Sequence, residues 1–136
     1  MKNEIIKSAT ISECGNYRYA LSRIWDTEKP AVLFIMLNPS TADAYQDDPT
    51  VRRCIGFAKS WGYGGLYIGN LFAFRATNPK DLRHACDPIG TQNIKYIKEM
   101  ANKCSLVVCA WGNGILVEKL LFSRPDYQPL KNIKLY

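Results

Sequence analysis

The sequence predicts an α/β protein, a three-layer sandwich whose central sheet is mostly parallel and flanked by helices, with an antiparallel hairpin at the N-terminus. The hairpin is indicated by the tight-turn pair Gly15-Asn16 within residues 9–25. Further along the chain, amphipathic segments alternate with apolar runs, which is typical of a parallel sheet between helix layers. Three runs are apolar throughout, as strands covered on both faces are, and they occupy 31–37, 66–70 and 105–110.

The bulk composition fits one soluble domain. The chain has 136 residues, of which 47% are apolar and 22% charged, and no repeat or linker divides it, so we expect a single domain over 1–136. The net charge of +6 is a mild bias toward anionic partners such as DNA or nucleotides. No apolar run approaches the roughly 20 residues that span a bilayer, and no secretory signal precedes the domain, so we expect a cytoplasmic protein that does not enter membranes.

The cysteines and the histidine do not predict a metal site. The five cysteines are scattered without a Cys-x-x-Cys pair, and His84, in a polar helical stretch, is the single histidine. We therefore expect no metal and no cofactor.

The elements follow in order from the turn at Gly15. "YRYALSRIW" alternates imperfectly, as an antiparallel strand at a sheet edge does. "DDPTVRRCIGFAKSWG" predicts a helix with Asp48 as N-cap and Pro49 at its first position, ended by Gly62. Its apolar stripe is expected to contain Val51, Cys54, Ile55, Ala58 and Trp61.

The second half of the chain continues the alternation. "TNPKDLRHA" predicts a helical turn, and "TQNIKYIKEMANKC" a helix that buries Ile94, Ile97 and Met100 or Ala101. "NGILVEKLLF" predicts a further helix, and "NIKLY" the start of a fourth buried strand. Because that strand would leave a sheet edge uncovered, self-association through the edge is expected.

Polar residues follow each of the three apolar strands. They are Asn38-Pro39, Asn70 and Trp111-Gly112. Ligands of α/β sheets bind beyond the carboxyl ends of the strands, so these residues predict a binding site. Asn38 either holds a ligand or only ends its strand in a turn. Asn70 needs a partner because an unsatisfied buried amide costs about 1–3 kcal/mol, and that partner is either loop backbone or a ligand.

The loop after the first of these strands carries further candidates. Ser40 and Thr41 either donate hydrogen bonds to a phosphate or serve as capping residues. Arg75 either binds an anion or a base, or pairs with an aspartate such as Asp48. Three loop carboxylates allow a general-base or magnesium role as well as simple solvation or capping, and they are Asp43, Asp47 and Asp48.

The segments "LNPSTADA", "DDPTVRRC", "WGYGGLYIGNLFAFRATNPKDL" and "AWGN" closely resemble a bacterial and phage family catalogued as domain of unknown function number 1643. The resemblance runs from about Tyr17 to Asn113. The family label implies no activity.

The order of the strand endings is also similar to that of the uracil-DNA glycosylases. The similar segments are Asn38-Pro39, Asn70 in "YIGN" and Trp111-Gly112 in "VVCAWG". This resemblance implies that Asn38 positions a water molecule and Asn70 reads the edge of a base. Asp43, one of the loop carboxylates, is the second catalytic candidate. The ligand would contact Pro39, Ser40, Thr41, Asn70, Arg75, Trp111 and Gly112.

The resemblance also implies a His-Pro segment after the last strand, and the chain ends at Tyr136 before one. We therefore expect a nucleobase- or nucleotide-recognising domain and no appreciable base excision by these 136 residues. Cleavage of an N-glycosidic bond in DNA remains the reaction to which the resemblance points. The rival hypotheses are a non-catalytic binding or assembly module of the same fold and an enzyme acting on free nucleotides.

Overall fold

Five strands form one sheet in the part of the chain that the computed structural model describes, residues 5–39, 41–75, 89–90 and 92–110. The strands are β1 (Ile6–Ile11), β2 (Arg18–Ile24), β3 (Ala31–Met36), β4 (Gly65–Asn70) and β5 (Leu106–Cys109). Two helices accompany them, α1 (Pro49–Ser60) and α2 (Asn93–Lys103). The strand order is β1-β2-β4-β3-β5.

The sheet is mixed, so the prediction of a mostly parallel sheet is wrong. β3 lies between β4 and β5 and is parallel to both, which confirms that the three apolar runs are neighbouring parallel strands. The other two ladders, β1 with β2 and β2 with β4, are antiparallel. The antiparallel ladders both involve β2, which pairs with β4 and so joins the N-terminal hairpin to the sheet. The pattern within β2 does not tell which strand it pairs with.

The N-terminal hairpin turns at Gly15, whose φ of +80° is in the left-handed region. β2 is an internal strand between β1 and β4, so its predicted place at a sheet edge is wrong. The β1–β2 register shifts by one residue near its end: Thr10 is opposite Ala20 and Ile11 is opposite Arg18. The extra residue in β2 is Tyr19, as in a β-bulge.

Helix α1 begins and ends as predicted. The Asp48 carboxylate accepts a hydrogen bond from the Val51 amide at 2.9 Å, and Pro49 is the first helical residue. Gly62 follows with φ +85° and donates to the Lys59 carbonyl. The predicted stripe is buried at Val51, Cys54 and Ala58. Trp61 is wrong as a buried residue, since it is 47% exposed.

The helices cover opposite faces of the sheet. Helix α1 packs on a cluster that includes Val32, Phe34 and Ile68, whereas α2 packs on alternate positions that include Leu33 and Ile35. Helix α2 buries Ile97 and Met100, as predicted. No helix among the described residues is long and apolar enough to cross a membrane.

The predictions for "TNPKDLRHA", "NGILVEKLLF" and "NIKLY" fall outside the described residues. His84 lies there as well.

Candidate functional site

A cavity of about 220 Å³ opens where β3 and β4 end. Parallel pairing places the two ends together, because Met36 is opposite Asn70 in the register. The cavity is lined by residues from the sheet, the following loop and the start of α1: Arg18, Met36, Leu37, Asn38, Asp48, Thr50, Val51, Ile68, Asn70 and Ala110. Asn38 and Asn70 therefore share one cavity at the predicted end of the sheet.

Arg18 reaches this cavity through two features of β2. Since β2 runs antiparallel to β4, the amino end of β2 lies beside the carboxyl end of β4. The register shift at Tyr19 then places Arg18 on the face of the sheet that α1 covers. Two contacts support this assignment: Arg18 and Arg23 both bond to the 42–47 loop, although residues five apart face opposite sides of a regular strand.

The Arg18 guanidinium is buried, with 3% exposure, and is only partly bonded. Its Nη1 donates to the Ala42 carbonyl at 3.1 Å and its Nη2 to Asn70 Oδ1 at 3.3 Å. Its Nε has no acceptor among the described residues. Burial lowers the pKa of Arg18 to about 10, while the charge of Asp48 acts in the opposite direction. Arg18 is therefore still a cation at neutral pH.

Asn70 offers a second donor to the same cavity. It is 1% exposed, and its Nδ2 likewise has no acceptor within the described part of the chain. Its backbone carbonyl is held separately by Asn93 Nδ2 at 2.7 Å, which ties the end of β4 to the start of α2. The side-chain amide is thus fixed by Arg18 on its oxygen side and presents N–H groups on the other.

The carboxylate in the cavity wall is already bonded. Asp48 is 7% exposed, and its oxygens accept the amide N–H groups of Val51, at 2.9 Å, and Ala42, at 3.3 Å. It joins the first turn of α1 to the preceding loop, so its main role is structural. Asn38 is half-buried, and its Nδ2 donates to the Pro39 carbonyl at 3.1 Å.

A second arginine holds the loop in front of the cavity. Arg23 is fully buried; its Nε lies 2.7 Å from Asp47 Oδ1, and its Nη2 lies 2.6 Å from the Asp43 carbonyl. It also donates to the Gln46 carbonyl and to the Ser22 carbonyl. Arg23 therefore has an acid partner and a full set of acceptors. Among the described residues, Arg18 has neither.

Several predicted site residues lie away from the cavity wall. The Asp43 carboxylate accepts the amides of Tyr45 and Gln46, which lowers its pKa and makes it a turn residue. Arg75 donates to the Gly15 carbonyl at 3.2 Å, so it supports the β1–β2 turn, and it forms no ion pair with an aspartate among the described residues. Thr41 is exposed.

Of the remaining predicted site residues, some are described by the structure and others are not. Pro39 is buried just after the end of β3, and the Asp47 carboxylate accepts a hydrogen bond from Arg23. Ser40, Trp111 and Gly112 lie outside the described residues.

Sequence reasoning missed Arg18 and Asn93. One signal was present: "NYRYALSRIW" puts two arginines in a strand of otherwise apolar and small residues, and buried arginines in strands need acceptors. Regular strand alternation, however, puts residues five positions apart on opposite faces, so it would separate Arg18 from Arg23. Among the described residues no group of three or more His, Cys, Asp or Glu side chains could hold a metal ion.

A family model described as "Protein of unknown function (DUF1643)" matches residues 18–124, most of the chain. This match confirms the family that the motifs predict. Comparison with the curated proteins and with the solved structures gave no match.

Proposed function

We propose that this chain, which belongs to the DUF1643 family, recognises a nucleobase or nucleotide through the cavity at the ends of β3 and β4. The observation that carries the proposal is the pair of buried donors at one cavity, Arg18 Nε and Asn70 Nδ2, for which the described residues provide no acceptor. A buried donor left unsatisfied costs about 1–3 kcal/mol, and a ligand acceptor would remove that cost.

The size of the cavity and its neighbours support the class of ligand. Pockets for drug-sized ligands run from about 300 to 1,000 Å³. A volume of about 220 Å³ matches one ring or one phosphate group, with the rest of a nucleotide outside. Apolar walls from Met36 and Ile68 suit a flat ring, and the two donors suit carbonyl or phosphate oxygens.

Binding is the core of the proposal, and cleavage of an N-glycosidic bond is its catalytic extension. Asn38 lines the same cavity as Asn70 and would orient the attacking water. The described residues offer Asp48 as the nearest carboxylate for that water, and both its oxygens already hold backbone N–H groups. This arrangement favours recognition over catalysis, and we expect no base excision from uracil- or damage-containing oligonucleotides.

The test measures binding of free bases, nucleosides and nucleoside monophosphates by calorimetry, with Asn70→Ala and the exposed Asn102→Ala as matched variants. We expect Asn70→Ala to weaken binding about tenfold, as the loss of one or two hydrogen bonds does, while Asn102→Ala binds as the wild type does. If the Asn70 amide instead serves the fold alone, Asn70→Ala lowers the unfolding temperature and leaves affinity unchanged. That result, or the absence of binding by every compound, contradicts the proposal.

A further inference from the structure

Two arginines of β2 are buried in the same region, and they differ in their electrostatic partners. Arg23 has the Asp47 carboxylate at 2.7 Å. Among the described residues no carboxylate lies within 4.0 Å of the Arg18 guanidinium. Buried charges in proteins are paired or coordinated, because taking a charge out of water costs several kcal/mol.

The nearby acids are committed to other groups. The Asp43 oxygen Oδ1 accepts two turn amides, and Asp47 is bonded to Arg23. Asp48, the one acid among the described residues of the cavity wall, raises the pKa of Arg18 through space, but its oxygens accept the Val51 and Ala42 amides. The partners that Arg18 does have are two neutral oxygens, and neither carries a compensating charge.

We infer that Arg18 binds a phosphate oxyanion of the ligand, so that the phosphate of a nucleotide, rather than its base, enters the cavity. This inference rests on the proposed function and selects between its two ligand classes. Arg18 Nε and Asn70 Nδ2 would each donate to a phosphate oxygen, and the guanidinium would gain the counter-charge that it lacks.

Phosphate could come from two sources, and the experiment separates them. Calorimetry is run with inorganic phosphate, a nucleoside, its 5′-monophosphate, and a dinucleoside monophosphate, which has one phosphodiester and no terminal phosphate. We expect the wild-type chain to bind at least one of the two phosphate-bearing nucleotides about ten- to a hundredfold more tightly than the nucleoside, as a charge-assisted hydrogen bond implies. The tighter of the two identifies a terminal phosphate or a strand backbone as the source.

Variants test whether Arg18 is responsible. Arg18→Gln keeps a hydrogen-bond donor and removes the charge, so it should abolish the preference for phosphate. Arg53→Gln removes an exposed charge of α1 and should leave the preference intact. The wild-type comparison of nucleoside with nucleotide needs no variant, so the test stands even if Arg18→Gln does not fold.

The outcomes separate the inference from the proposed function. Equal affinity of the wild type for nucleoside and both nucleotides overturns the inference and leaves base recognition in place. A phosphate preference that Arg18→Gln retains also overturns it. Inorganic phosphate bound as tightly as the nucleotides would show phosphate binding at the cavity but would overturn its assignment to a nucleotide, and with it nucleotide recognition. No binding by any compound contradicts both the inference and the proposed function.

Discussion

Replacing Arg23 by methionine should unfold the protein at a much lower temperature. The side chain is fully buried, and it joins the sheet to the 42–47 loop through Asp47 and the carbonyls of Asp43 and Gln46. Methionine fills a similar volume without a donor. The change therefore removes the bonds and leaves their acceptors in place.

The magnitude follows from the exposure of the two partners. Removing one member of a buried ion pair costs about 3–5 kcal/mol. Asp47 is 19% exposed at its side chain, so water can solvate it in the variant, and we take the lower end of the range. A loss of about 3 kcal/mol corresponds to a fall of roughly 10 °C in the unfolding temperature of a domain of this size.

The assay is thermal and urea unfolding of Arg23→Met beside Arg53→Met, which removes an exposed arginine and should change stability by no more than about 0.5 kcal/mol. Asp47→Asn and the double variant complete a cycle, and the two losses should be less than additive because the side chains share one contact. Equal unfolding temperatures for Arg23→Met and Arg53→Met would show that this ion pair does not hold the loop.

Three further changes test other parts of the structure. Asp48→Ala should cost about 1 kcal/mol in urea unfolding, since it removes the N-cap of α1; an unchanged midpoint would contradict that role. Gly64→Ala should destabilise the chain severely, because its Cβ would overlap the backbone carbonyl of Asp26, and a wild-type melt would contradict this contact. Of the four cysteines in the described residues, Cys14 should react fastest with a thiol reagent near pH 7.5, because it is exposed and the Ser12 hydroxyl lowers its pKa, which leaves more thiolate at that pH. Peptide mapping should find it labelled before the other three, and Cys14→Ser should remove that label. The slower thiols are those whose pKa burial raises, Cys54, Cys104 and Cys109, and peptide mapping that found one of them labelled first would refute the assignment.

The sequence predicted what depends on local pattern and capping. Helix α1, its cap at Asp48 and its end at Gly62 follow from residues a few positions apart, and the structure confirms them. The shared location of Asn38 and Asn70 also follows, because parallel strands end together.

Arg18 could not be predicted in the same way. Its place depends on the antiparallel pairing of β2 with β4, which joins residues from 41 (Ile24 with Gly65) to 47 (Leu21 with Ile68) positions apart. That pairing leaves no periodic pattern in either strand. The bonding of a loop residue such as Asp43 is hard to predict for a related reason: a short polar side chain bonds to nearby amides when the turn allows it.

The register shift at Tyr19, and not the type of residue at position 18, decides on which side of the sheet the Arg18 guanidinium lies. Arg18 and Arg23 are five positions apart, and the extra residue in the ladder returns Arg18 to the face of Arg23. Removing Tyr19 would set the two arginines four positions apart, which a regular strand also places on one face. A strand that kept the five-residue spacing but paired without the shift would instead turn the Arg18 guanidinium toward α2.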